Sequence, residues 1–368
     1  MVRVMTTDQM TLLQDLSSVF HDGRIDCSIS PEIEEEARAH AVLSLLKKDY
    51  QVLSNNLSII NSHAEITELL NGIPFVTFKG YASAMYYPIP HNRQMGDVDV
   101  ITSPESHNVA VQRLLDAGWK MDKSEHERHV SFCKGKAKCE IHIEIKGVPN
   151  GLDGIKTNSL SAEKRVRELL QDLIETSRVV ESEYGPIVVP DEFHHALIML
   201  LHVAGHMIND GGIGLRHLCD WSVFVSKVDV RRFEDDLRMV GLWTFARQLT
   251  SLCSEYLGLE EQSWSGNWDR SFLQDFMEDI LQSGNFGSKQ AGRRVVLEME
   301  KTSFADVTKK RYPRAKNRLL LPYYMVKNCA RYSRLVIKKK KRIIRFSTIK
   351  EAKKRSALYD KFKLFEDE

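Results

Sequence analysis

Gly96-Asp97-Val98-Asp99-Val100 constrains this chain more than any other stretch. In a strand, alternate side chains share a face. Asp97 and Asp99 then point one way, and Val98 and Val100 point the other way into a core. A mostly apolar run, Ile73 to Phe78, leads into Lys79-Gly80 and predicts a preceding strand. A glycine turn after a strand leaves backbone N–H groups able to meet phosphate. Two carboxylates fixed side by side make the oxygen-rich site that a divalent metal needs. Asp-x-Asp is a common chance pattern, so its neighbours decide its meaning. Arg93 lies just before it. A later strand alternates Glu140, His142 and Glu144 onto one face, with Ile141, Ile143 and Ile145 opposite. An acid from that strand would complete a three-carboxylate cage able to hold two Mg²⁺ ions.

The flanking signals organise the rest. Residues 1–70 read as helical, with Leu12, Leu13, Leu16 and Val19 at helical spacing. Pro31 with Glu32, Glu34, Glu35 and Glu36 makes a good helix start, since acids there complement the helix dipole. Asn71-Gly72 stops the last N-terminal helix. Ser103-Pro104-Glu105 caps a helix that ends at Gly118. His129–Cys133 and Cys139–Ile145 flank Gly135 and read as a hairpin. Residues 73–146 thus predict a small mixed sheet. Ser161–Thr176 reads as helix and Gly185–Pro190 as extended. Helices are predicted from the Asp191 cap through Val203, at Leu215–Val225, Val230–Leu257, Ser271–Leu281 and Arg311–Arg345, with a last one in Ile349–Glu368. The fold class is therefore α+β. An N-terminal helical region (1–70) precedes a sheet-bearing core (71–150) and a large, mainly helical C-terminal domain (151–368).

Composition excludes several classes. A formal charge of +2 over 368 residues gives no global field that demands nucleic acid. The six cysteines, Cys27, Cys133, Cys139, Cys219, Cys253 and Cys329, form no CxxC pair. They read as reduced thiols in a cytoplasmic protein, not as a zinc framework. No signal-peptide pattern and no apolar run long enough for a membrane helix occurs.

Lys79-Gly80, Tyr87-Pro88, Arg93, Gly96-Asp97-Val98-Asp99 and Glu140-Ile141-His142 together resemble the nucleotidyltransferases of the DNA polymerase beta superfamily. More narrowly, the chain resembles the bacterial branch of uncharacterised nucleotidyltransferases, which adds a helical element like Gly212 to Asp220 here. The likeness runs from about residue 35 to the C-terminus. It implies transfer of an NMP from an NTP, with ATP as the first candidate, to an acceptor (a small molecule or a protein) with release of pyrophosphate. Asp97, Asp99 and Glu140 would hold Mg²⁺, and Lys79, Gly80 and Arg93 would hold phosphates. Two departures stand out. Lys79-Gly80 occupies the turn where the superfamily usually has Gly-Ser or Gly-Gly, and Ile143 replaces a usual tryptophan. Glu140 matches the third-acid position, with Glu144 as the alternative. Arg93 has a second reading as a salt bridge to a nearby acid.

In the helical half, His195, His202 and His206 share helix spacing, which fits a structural or substrate-facing role better than a metal pair. Arg216 and Asp220 fall at i and i+4. They read as an intrahelical ion pair, or as an element that packs on the sheet and carries Arg216 to the nucleotide or acceptor. Lys338 to Arg345 is a basic run with four readings: solvated helix face, anionic membrane surface, nucleic acid or polyanionic acceptor. Against an enzyme acting on a small molecule or protein stand two rivals. One is an antitoxin-like protein that modifies or binds a partner. The other is a non-catalytic nucleotide- or partner-binding module, disfavoured because all three acids are present.

Overall fold

A computed structural model describes residues 52–122, 128–145, 147–148, 159–210, 212–283, 308–309, 311–337 and 357–366. The helices expected before residue 52 and the basic run Lys338–Arg345 lie outside them. Helix α1 (residues 52–69) leads through Gly72, whose φ of +78° suits a residue without Cβ, to strand β1 (Phe75–Phe78). The short helix α2 (Gly80–Ala84) follows, then β2 (Val98–Thr102). Helix α3 (Pro104–Asp116) begins as expected: Pro104 takes the first position and Ser103 Oγ accepts from the Ser106 N–H at 3.3 Å. Strands β3 (Lys120–Met121), β4 (His129–Lys134) and β5 (Ala137–His142) complete the sheet.

The strand order is β1-β2-β5-β4-β3. β2 runs antiparallel to β1 and parallel to β5, and β4 and β5 form the expected hairpin. The sheet is mixed, and the fold is α+β. Period-two alternation splits its residues between two cores. Phe75, Val98, Val100, Cys139, Ile141 and Phe132 pack with α1 and α3 residues such as Ile66, Ala110 and Leu114. On the other face, Val76, Phe78 and Ile101 meet Leu173 and Ile198.

β5 ends at His142, earlier than its hydrophobic pattern suggested. Ile145 therefore does not continue the Ile141 face; it joins Val76 and Phe78 on the opposite side. A second hairpin, β6 (Arg178–Val180) and β7 (Ile187–Val189), places β7 against β1. Only its second strand was visible as an extended segment.

Helix α4 (Ser159–Leu170) precedes that hairpin, and α5 (Glu192–Gly205) follows it. The Asp191 carboxylate caps α5 by accepting from the His194 N–H at 2.9 Å. A π-helical turn, His206–Asp210, then leads to α6 (Leu215–Val225). The single helix expected over Val230–Leu257 is broken. A 3₁₀ turn (Val230–Phe233) and α7 (Glu234–Met239) are followed by Gly241 at φ +68° and then by α8 (Trp243–Leu257). Gly241 O accepts from the Phe365 N–H at 2.8 Å, and a Cβ on Gly241 would collide with the Glu366 backbone. The chain's far end therefore dictates this break. Helices α9 (Arg270–Ser283) and α10 (Leu321–Ile337) follow. A large apolar core joins α5, α6, α8 and α9 to Phe362 and Phe365.

Candidate active site

The parallel pairing of β2 and β5 puts Asp99 directly beside Glu140. Asp97 sits one residue before β2. Lys79 closes β1, whose Phe78 pairs with Asp99 across the antiparallel ladder. The three carboxylates and Lys79 thus meet at one end of the sheet. They line a cavity of about 470 Å³, whose opposite wall is formed by Met199, His202, His206, Arg216 and His217 from α5, the π turn and α6.

Asp99 is buried, and its Oδ1 accepts from His142 Nε2 at 3.0 Å and from Lys79 Nζ at 3.3 Å. Burial works against its charge, but Lys79 and His142 prevail and hold the carboxyl at about 2. Asp97 goes the other way. Burial first, then repulsion from Asp99 and Glu140, lifts it to about 6. Glu140 is held below its ordinary value by its hydrogen bond to His142, against some burial. His142 Nε2 lies 3.3 Å from Glu140 Oε2, so one N–H bridges two of the three acids. Burial lowers the His142 pKa, and these two bonds more than offset it, raising the pKa.

His142 is the residue that strand alternation brought to this face without assigning it work. It orients Asp99 and Glu140 as an outer partner orients metal-ligating carboxylates. The three carboxylates face Lys79 and His142 as neighbouring cations, and repulsion from Asp99 and Glu140 adds to burial in raising Asp97. An all-oxygen set with such an excess fits a hard divalent cation. His129, Glu140 and His142 also come within ligating range of one another. The His142 Nε2 bond to Asp99 ties that trio to the carboxylate cluster.

Glu144 belongs elsewhere. It lies beyond the end of β5 and pairs with Arg128 (3.8 Å) and Arg167 (3.2 Å). It lines a different cavity, with Thr102, Ile145 and Leu170.

The turn at Lys79 is under backbone strain. Lys79 has φ +56° and ψ −139°, a combination that a residue with a side chain rarely adopts. It aims the ammonium at Asp99 and over the Phe78 ring, 4.9 Å from its centroid. Gly80 is needed for a different reason. A Cβ there would stand 3.2 Å from the Asp97 carbonyl oxygen.

Arg93 makes a buried bidentate pair with Asp220. Nε meets Oδ1 at 2.7 Å and Nη2 meets Oδ2 at 2.7 Å, while Nη1 donates to Gly80 O at 2.9 Å. Tyr87 O–H also donates to Asp220, at 2.7 Å. Of the two sequence readings of Arg93, this geometry is the ion pair. The guanidinium fixes the Gly80 turn and ties α6 to the sheet. Asp220 therefore reaches from α6 to Arg93 and Tyr87, residues that precede β2. Arg216 lines the cavity, and its Nη1 donates to Gln94 O at 3.3 Å.

The expected histidine row divides. His195 sits among the lining of the same cavity but is stacked on Phe224 (ring centroids 5.5 Å apart) and meets Ser83 Oγ at 3.3 Å. His202 and His206 keep company and gain His217 from α6, with centroids 4.4 to 5.5 Å apart. Burial, with help from neighbouring Lys79, Arg216 and each other, keeps His202 well below the usual range and His217 at about 3. Both present neutral imidazoles to the cavity near neutral pH. His217 was not legible as part of this wall, because it lies on a different helix.

The sheet, its carboxylate cluster and the following helices define an α+β nucleotidyltransferase fold. Residues 30–258 match the model of a family described as uncharacterised nucleotidyltransferase, and the chain belongs to that family. Family membership makes it, at the coarse level, a transferase of nucleotidyl groups. None of the curated proteins compared with it matches.

Proposed function

We propose that this chain transfers a nucleoside monophosphate from an NTP, with ATP as the first candidate, to a hydroxyl or phosphate oxygen of an acceptor. The acceptor oxygen forms a bond to the α-phosphorus, the α–β bridging bond breaks, and pyrophosphate leaves. The observation that carries this reading is the meeting of Asp97, Asp99 and Glu140 beside Lys79 at the mouth of a nucleotide-sized cavity.

Asp97, Asp99 and Glu140 would hold Mg²⁺, which when bound supplies charge neutralisation at the phosphates and the attacking oxygen. His142 keeps Asp99 and Glu140 ionised and aimed. Glu140, the most exposed of the three, polarises the acceptor O–H. Lys79 carries a point charge to the phosphates. Arg93 acts by holding Gly80 in position. Arg216 and the imidazole wall face the substrate from the helical side, where they complement anionic groups.

The test is incubation with α-labelled NTP, Mg²⁺ and size-fractionated cell extract, comparing wild type with Asp97→Ala/Asp99→Ala. Labelled product from wild type alone supports the assignment. Equal labelling by both sinks it. Nucleotide binding with no labelled product in any fraction would favour the binding-module reading.

A further inference from the structure

The C-terminal region carries a charge imbalance that the nucleotidyl-transfer reading does not use. Between residues 307 and 350 the sequence has sixteen Lys and Arg and no Asp or Glu. The whole chain is only +2, so the remainder is net acidic. A basic block on an otherwise acidic protein gains nothing for solubility and directs one surface toward an anion.

Helix α10 and the turn before it give that block a shape. On one side, Asn328 is buried and receives a bond from Arg311 Nη1 at 3.2 Å, while its own Nδ2 donates to Thr308 Oγ1 at 3.2 Å. The other side is exposed and apolar. Tyr323 is 62% and Val326 69% exposed, three positions apart on one face of α10, and Leu319 is 88% exposed in the turn just before it. Lys327, Arg331 and Arg334, one position further round, are exposed beside that stripe. No helix among the described residues is long and apolar enough to cross a membrane, so the arrangement suits lying on a surface.

We propose that α10 and its preceding turn bind an anionic lipid surface, with the Leu319–Tyr323–Val326 stripe entering the headgroup boundary and the basic side chains meeting lipid phosphates. Charge complementarity selects an anionic partner. The aliphatic stripe selects lipid over nucleic acid, because phosphate and base contacts leave Leu319 and Val326 with nothing to bury against. The site is independent of the catalytic reading and stands or falls without it.

The experiment is flotation of the full chain with phosphatidylcholine vesicles, with and without phosphatidylglycerol, at low and high salt. Two variants accompany it: Lys327→Glu/Arg331→Glu/Arg334→Glu and Leu319→Ser/Val326→Ser. Both change exposed side chains only, and circular dichroism checks that each is folded. Binding is expected only with phosphatidylglycerol, weakened by salt. The charge variant should bind about a hundredfold more weakly, and the apolar variant should also lose affinity. A labelled single-stranded RNA serves as competitor probe. Failure to float with anionic vesicles overturns the proposal. So does vesicle binding that neither variant alters, or RNA binding that exceeds vesicle binding and ignores Leu319→Ser/Val326→Ser.

Discussion

Removing the Asp220 carboxylate gives the sharpest stability test of how α6 is joined to the sheet. Arg93 and Asp220 side chains are 7% and 9% exposed, and three bonds of 2.7 Å converge on that one carboxylate. Asp220→Ala would leave a buried guanidinium and the Tyr87 hydroxyl without their acceptor. Breaking one partner of a buried pair costs about 3–5 kcal/mol. For a domain of this size that corresponds to a fall on the order of 10 °C in the unfolding midpoint. Arg93→Met/Asp220→Leu removes both charges and should be much less damaging, because the attraction of such a pair largely repays its desolvation and little more. Adding Tyr87→Phe removes a hydroxyl that has lost its Asp220 acceptor, worth about 1–3 kcal/mol. The cycle, measured by thermal and urea unfolding, should show a coupling of at least about 2 kcal/mol between Arg93 and Asp220. Additive single and double effects would refute the reasoning, since they would mean the pair is not dry.

Asp97→Asn should stabilise the metal-free protein at neutral pH. The folded pKa of Asp97 stands at about 6, so the fold binds its proton more tightly than the unfolded chain does. Its stability contribution is complete below the ordinary carboxyl range and is lost as pH rises through about 6. The variant's advantage should therefore approach about 3 kcal/mol well above pH 6 and vanish in acid, while Mg²⁺ stabilises only the wild type; denaturation curves across pH check both. Glu140→Gln should lower nucleotidyl transfer on the order of a hundredfold, and Glu144→Gln should leave it nearly unchanged. Lys79→Gly should be more stable than Lys79→Ala by about 1 kcal/mol, because only glycine adopts φ +56° without strain. Urea unfolding of the two variants, which lack the ammonium equally, isolates the backbone term.

Local signals were legible in the sequence wherever one short segment decides the structure. The Ser103 and Asp191 caps, the β4–β5 hairpin and the opposite faces taken by Asp99 and the core-facing Val98 and Val100 are of this kind. The carboxylate cluster was readable because strand alternation offers Glu140 and Glu144, the family motif favours Glu140, and the register sets Glu140 beside Asp99. What stayed hidden depends on distant partners. Arg93 and Asp220 are 127 positions apart, so spacing alone offered Arg216 as the partner of Asp220. The break at Gly241 is imposed by Phe365 and Glu366 from the far end of the chain. Glu144 looked equivalent to Glu140 by alternation, but β5 stops at His142 and Arg128 and Arg167 draw Glu144 to another cavity.

The position of the label distinguishes nucleotidyl transfer from every neighbouring chemistry. Wild-type protein, Mg²⁺ and acceptor-containing extract are incubated in parallel with NTP labelled at the α- or the γ-phosphorus. The account predicts an acceptor that carries α-label, γ-label recovered as pyrophosphate, and neither result with Asp97→Ala/Asp99→Ala. An acceptor that carries γ-label, or α-label that persists in the double variant, would contradict it.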